Sequence, residues 1–186
     1  MKRTFITFII IACSNLIIAQ TEMQINITKS KINWKGTMLF NFGEHFGTAQ
    51  FKEGKIRQED KKITGGTFII DMNTIINTDG DYNENLVDHL KNEDFFDVKT
   101  HPTSSLTINN VTYNSNGILW IEANLTIIGV TKPISFEAKM VDDNKMKTKF
   151  KIDRTEWNIR YGSKDKVSVK DYAISDAIEF DVELYF

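Results

Sequence analysis

The sequence predicts an all-β protein, an antiparallel barrel or sandwich folded as one domain. Three observations carry this. Apolar and polar residues alternate at a period of two in one run after another, as half-buried strands require. Clusters of turn-forming residues separate the runs. Only two prolines, and no repeat, linker or low-complexity tract, interrupt them. Many short strands joined by turns are the pattern of antiparallel barrels and sandwiches.

In chain order, Ile32, Trp34 and Met38 alternate with Lys31, Asn33, Lys35 and Thr37, and Phe68, Ile70 and Met72 repeat the pattern. Leu86, Val87 and Leu90 have the spacing of a short amphipathic helix, placed near 84–92. Further strands carry Leu119, Ile121, Ala123, Leu125 and Ile127, then Ile134, Phe136, Ala138 and Met140. Met146, Thr148, Phe150 and Ile152 follow, and Ile174, Ile178, Phe180, Val182 and Leu184 form the last strand. Gly65-Gly66, Asn114-Ser115-Asn116-Gly117, Asp142-Asp143-Asn144 and Gly162-Ser163 break the runs. Pro102 and Pro133 are read as strand starts, since the residue before proline is driven out of the α region. The inward positions mix Phe, Met, Ile and Leu with small Gly47, Ala49, Ala123 and Ala138. An eight-stranded barrel with such an interior is either filled by its side chains or holds one small ligand.

Lys2-Arg3, the apolar run from Phe5 to Ile11, and Leu16-Ile17-Ile18-Ala19 before Gln20 read as a secretory leader over residues 1–19. Residues 20–186 are then the folded domain, periplasmic or secreted. The alternative is lipid anchoring at Cys13, because Ile10-Ile11-Ala12-Cys13 fits a lipobox. Loss of Lys2 and Arg3 takes the formal charge from −2 to −4, which argues against a nucleic-acid partner. Cys13 is the only cysteine, so the domain carries no disulfide and rests on burial and strand pairing.

The chemistry-bearing residues point away from catalysis. There is no Gly-x-Ser-x-Gly elbow. His45, His89 and His101, the only histidines, have no ligand spacing that would mark a metal site. Asp71, Asp153 and Asp176 alternate to outer or rim positions, and Arg154 beside Asp153 is placed to stack on Trp157. No catalytic residue, metal or cofactor is expected. Phe40, Phe42, Phe46 and Phe51 surround the turn Gly43-Glu44-His45, either as core at one barrel end or as an apolar mouth. Glu44 and His45 would then face a polar head group, with Phe95-Phe96 as the opposing wall.

Five stretches belong together: Ser30-Lys31-Ile32-Asn33-Trp34-Lys35-Gly36, Gly66-Thr67-Phe68-Ile69-Ile70-Asp71-Met72, and Asn85 to Val98 with its Phe95-Phe96 pair closing at His101-Pro102. Leu125 to Pro133 and Ile152-Asp153-Arg154-Thr155-Glu156-Trp157 complete the set. In this order they resemble the YceI family of lipocalin-like, polyisoprenoid-binding proteins. One departure is the loop Thr78 to Glu84, whose lack of basic residues offers no phosphate clamp. The resemblance implies an eight-stranded antiparallel lipocalin-like barrel enclosing a long apolar chain. Its expected role is non-enzymatic binding or transport of a polyisoprenoid, quinone or fatty amide, with transient contact to a membrane or membrane protein and room for a homodimer. By alternation, the ligand-binding residues are expected to be Trp34, Met38, Phe42, His45, Phe46 and Phe51. Phe68, Ile70, Met72, Phe95, Phe96, Leu125, Phe136 and Phe150 complete that expectation. The alternatives are a filled barrel acting as an interaction module and, third, a histidine metal site.

Overall fold

The structure, a computed structural model, describes residues 20–39, 43–80, 83–166 and 173–186. Residues 1–19, read above as a leader, and the aromatic residues Phe40 and Phe42 lie outside the described residues. Among those described, nine strands form one antiparallel sheet. They are β1 (Thr21–Gln24), β2 (Lys31–Met38), β3 (Glu44–Glu59), β4 (Lys62–Asn77), β5 (Thr103–Tyr113), β6 (Ile118–Ile127), β7 (Val130–Asp142), β8 (Lys145–Asp153) and β9 (Ile174–Tyr185). Helix α1 (Asn83–Lys91) follows β4, within one residue of its expected bounds at each end, and a 3-10 turn (Arg154–Trp157) follows β8. The order β3-β2-β9-β8-β7-β6-β5-β4, with β3 pairing β4, closes the expected eight-stranded barrel. Strand β1 extends the far half of β3, pairing Thr21 with Gln58, beyond the stretch that β2 covers.

Alternation sets the two faces. On β6, Leu119, Ile121, Ala123, Leu125 and Ile127 are buried while Trp120, Glu122 and Asn124 are exposed. Strands β3 and β4 are sixteen residues each, and three register shifts between them bend the hairpin around the barrel. The β6–β7 hairpin turns through Ile128 (φ 43°) and Gly129 (φ 74°), with Ile127 opposite Val130. Two positive φ values match the twist of the flanking strands, though Ile128 is a costly residue to hold there.

Proline placement differs from the sequence expectation at one site. Pro102 precedes β5 as expected, but Pro133 lies inside β7, opposite Asn124 of β6. It is tolerated because β7 pairs with β8 only from Ala138 onward, so the N-terminal half of β7 is an edge that needs no donor on its free side. The 3-10 turn packs against β7 and β9. Trp157, fully buried, donates its indole N–H to the Leu125 carbonyl at 3.1 Å.

The same turn brings in Arg154, which is 0% exposed. Its Nε donates to the Ser175 carbonyl at 3.1 Å, and its terminal nitrogens reach the carbonyls of Ile159 at 2.8 Å and Ile174 at 3.4 Å. Asp176 lies 3.7 Å away, and the guanidinium sits 5.5 Å from the centroid of the Phe95 ring. Burial pushes its pKa down, and the charges of Asp176 and Asp153 oppose that. The stacking expected on Trp157 is thus made on Phe95 instead: Trp157 is turned toward β6, and Phe95 is delivered by the segment after α1. Asp153 caps the turn, accepting from the Thr155 N–H at 2.9 Å. Replacing Arg154 with Met strands three carbonyls and Asp176. The expected loss is about 3–5 kcal/mol of unfolding free energy, read by urea denaturation, with Lys recovering only part of it because it lacks the planar fork.

Outside the barrel, lysines of β8 face acids of β9. Lys147 and Lys145 lie 2.5 and 2.9 Å from Glu183, Lys149 is 2.7 Å from Asp181, and Lys151 is 2.7 Å from Glu179. Hydrogen bonds from Lys147 and Lys145 hold the Glu183 carboxyl down at about 2. A carboxyl depressed in the fold stabilises it above the unfolded pKa of about 4.3 and loses that contribution as pH falls toward 2. Melting temperature should therefore decline between about pH 4.5 and pH 2. Glu183→Gln should flatten part of that slope, and high salt should weaken it because these pairs are at the surface.

Candidate functional site

The inward rows of the barrel enclose an apolar channel of about 170 Å³. It is lined at the far end by Ile108, Met146 and Leu184, and at the helix end by Ile75, Leu90, Phe95 and Phe96. Ile174 and Leu184, ten residues apart on β9, both reach it. At 3.2–3.4 Å per residue and the strand tilt of a barrel, that is a length of roughly 25 Å along the axis. A small volume spread over that length makes a narrow channel, not a bowl. An apolar cavity of comparable size, about 150 Å³, stays dry and takes up an apolar guest.

Its walls follow from strand parity. Cross-strand aromatics form one side: Phe136 stacks on Phe150 at 4.7 Å with 18° between planes, and Phe150 meets Phe180 at 5.3 Å. Phe51 and Phe68 lie 6.1 Å apart. Phe95 and Phe96 meet edge to face at 4.9 Å at the helix end. Between these bulky groups come Gly36, Ala49 and Ala177, which leave space where larger residues would have filled it. Opposite Trp34 on β3 is Gly47. A Cβ there would lie 2.6 Å from the Trp34 ring and 1.9 Å from the Ile76 carbonyl, so only glycine admits the indole at this level.

Of the residues expected to bind ligand, Trp34, Phe51, Phe68, Ile70, Met72, Phe95, Phe96, Leu125, Phe136 and Phe150 line the channel. Phe42 lies outside the described residues. Three others do not line it. Phe46 is 43% exposed on the outer face, because it is one residue out of phase with Gly47, Ala49 and Phe51. His45 is held in a pair with Asp79, Nδ1 to Oδ2 at 2.7 Å. Met38 falls beyond a register shift in the β2–β9 ladder and turns to the hairpin tip, where its N–H donates to the Gly43 carbonyl. Glu44, expected to face a head group, pairs instead with Lys35. The mouth drawn around Phe46 and His45 also includes Phe40 and Phe42, which lie outside the described residues. The lining also takes in residues left out of that expectation, notably Leu106 and Ile108 of β5 and Ile178, Phe180, Val182 and Leu184 of β9. The alternation of β9 was a sufficient signal for the last four. On β5, Ser104 and the flanking threonines obscured it.

The chemistry available is that of a hydrocarbon sleeve. Arg154 is the one ionisable side chain among the described lining residues, and its nitrogens are engaged by carbonyls. The histidines are scattered. His45 pairs with Asp79, His89 packs its ring 4.3 Å from Tyr161, and His101 lies beside the β6–β7 turn at Gly129. Among the described residues no three His, Cys, Asp or Glu side chains gather as metal ligands. Asp71 is tied into its own turn, accepting from the Asn73 N–H at 3.0 Å.

Known proteins that this chain is similar to include the following three. A UPF0312 protein of Shewanella denitrificans is 30% identical over 105 residues, 55% of this chain. That match spans 54%, about half, of the relative's length. The crystal structure of Burkholderia cenocepacia BcnA superposes with a TM-score of 0.65 at 17% identity, covering 86% of this chain and 98% of that one. A polyisoprenoid binding domain from Saccharophagus degradans, implicated in plant cell wall breakdown, gives 0.56 at 15% identity, covering 90% and 97%. At these identities the two structures establish the fold. The YceI-like domain matches residues 23–186, and with nearly the whole chain so covered, this protein belongs to the YceI-like domain family.

Proposed function

We propose that this protein binds a long apolar lipid, of the polyisoprenoid class, along the barrel channel, and that it acts as a carrier or store and not as an enzyme. The observation that carries the reading is the channel itself: one continuous apolar lining from Leu184 to Phe95. The naming of the Saccharophagus domain for polyisoprenoid binding supports the choice of ligand class. Each methylene moved from water into such a lining contributes about 0.8 kcal/mol, against which stand the costs of association and chain ordering. A channel of about 170 Å³ is smaller than the ~300–1,000 Å³ pockets that engulf drug-sized ligands. A full-length chain therefore enters by rotation of the lining aromatics or leaves part of itself outside.

With a leader at residues 1–19, the place of action proposed is the periplasm or the exterior, with lipid anchoring at Cys13 as the alternative. Cargo of this kind resides in a bilayer, so loading requires contact with a membrane or a membrane protein.

Filling the channel tests the reading. Ala49→Phe places a large ring where the lining is small. The expected result is at least a tenfold loss of affinity for a long-chain prenol, measured by ligand displacement, with the melting temperature of the empty protein unchanged or raised. Unchanged affinity together with a destabilised fold, the mark of overpacking a full core, would place the ligand elsewhere.

A further inference from the structure

Resting on the lipid-binding reading above, we propose that the ligand enters and leaves through the barrel wall between β7 and β8, and that the stacked rings of Phe136 and Phe150 are the gate. The β7–β8 ladder is the shortest in the ring. Among the described residues it joins four pairs, from Ala138–Thr148 to Asp142–Lys145, where all other barrel neighbours join six or more. Toward the helix end the strands run on without further pairing, β7 from Glu137 back to Val130 and β8 from Lys149 to Asp153.

Side chains make the wall beyond this fork. At the fork itself the Thr148 hydroxyl donates to the Glu137 carbonyl at 2.6 Å. The next inward residues, Phe136 and Phe150, meet as stacked rings 4.7 Å apart with 18° between planes, and both line the channel. Nearer the helix end the 3-10 turn that follows β8 packs back against β7, with Trp157 fixed to the Leu125 carbonyl. The two rings thus fill a window bounded by Thr148 on one side and the turn on the other.

Other routes cost more. Turning two aromatic side chains breaks no backbone hydrogen bond, whereas parting a ladder strands its donors and acceptors. The far end is packed beyond the lining: Ile56, Ile63, Leu119 and Ile121 are at most 1% exposed. Ile25 adds to that plug, its N–H held by the Gly54 carbonyl at 3.0 Å. At the helix end Phe95 lies on the Arg154 guanidinium, so moving it disturbs a group tied to three carbonyls. A chain admitted between Phe136 and Phe150 reaches the lining in both directions, toward Leu184 and toward Phe95. It need not thread its whole length through one end.

The test fastens the seam from outside. Ser135→Cys and Lys151→Cys, at exposed positions beside the two rings, are made in a Cys13→Ser background and bridged with a bis-methanethiosulfonate. Exchange of geranylgeraniol is followed by stopped-flow tryptophan fluorescence. The bridge should slow uptake and release together by roughly tenfold or more, with affinity kept within about twofold, since a gate changes the barrier and not the bound state. Dithiothreitol, which removes the bridge, should restore both rates. The same bridge between Lys139→Cys and Lys147→Cys, a pair inside the ladder, should change neither. Phe136→Leu keeps the lining apolar and removes the stack, and should raise uptake and release by similar factors. Unchanged exchange across a bridged seam, equal slowing by the ladder bridge, or faster release alone in Phe136→Leu would overturn the proposal while leaving the carrier reading intact. Failure of the unmodified protein to bind the prenol would overturn both.

Discussion

Closing eight strands into a ring fixes an interior whose width the side chains must either fill or leave open. The shape of the channel answers to that constraint. Parity places Phe136, Phe150 and Phe180 on one wall as a row of rings in contact, while Gly36, Ala49 and Ala177 leave room between them. The result is long and narrow because the small residues are spread along the strands instead of gathered at one level. A hydrocarbon chain has the same shape. Side chains that would ordinarily meet across the core leave an apolar channel between them.

The helix end depends on a different force. The β8–β9 ladder stops at Ala177 there, leaving the start of β9 without β8 beside it. Arg154 serves three backbone carbonyls from one guanidinium. A charge so deeply placed is costly. Its hydrogen bonds, Asp176 and the Phe95 ring together offset that cost. Because Phe95 belongs to the channel lining as well, the group that holds the barrel end together also sets the position of an aromatic at the channel's helix end.

Much of this was legible in the residues. Period-two alternation predicted the faces of β6 and β8, and the same rule puts Phe46 outside, since it is out of phase with Gly47 and Ala49. Reading it as part of a mouth gave aromatic clustering in sequence more weight than parity. Met38 misled for another reason: alternation is kept only while register is kept, and the shift after Gly36 breaks it. The partner of Arg154 was not legible at all. Trp157 is three residues away and Phe95 is fifty-nine, and only the closed fold decides which ring the guanidinium meets. Pro133 was misplaced because sequence does not reveal that β7 lacks a neighbour along its first half. Whether the interior is filled or hollow also lies beyond alternation, which gives the side of each residue and not the volume left over.

The most direct test of a hollow barrel built for a lipid is native mass spectrometry of the protein purified from its own cell envelope, followed by organic extraction of whatever it carries. The account predicts a stoichiometric adduct that extracts as a long-chain apolar species. A protein that is empty from the cell, and still empty after incubation with polyprenyl lipids, would contradict it.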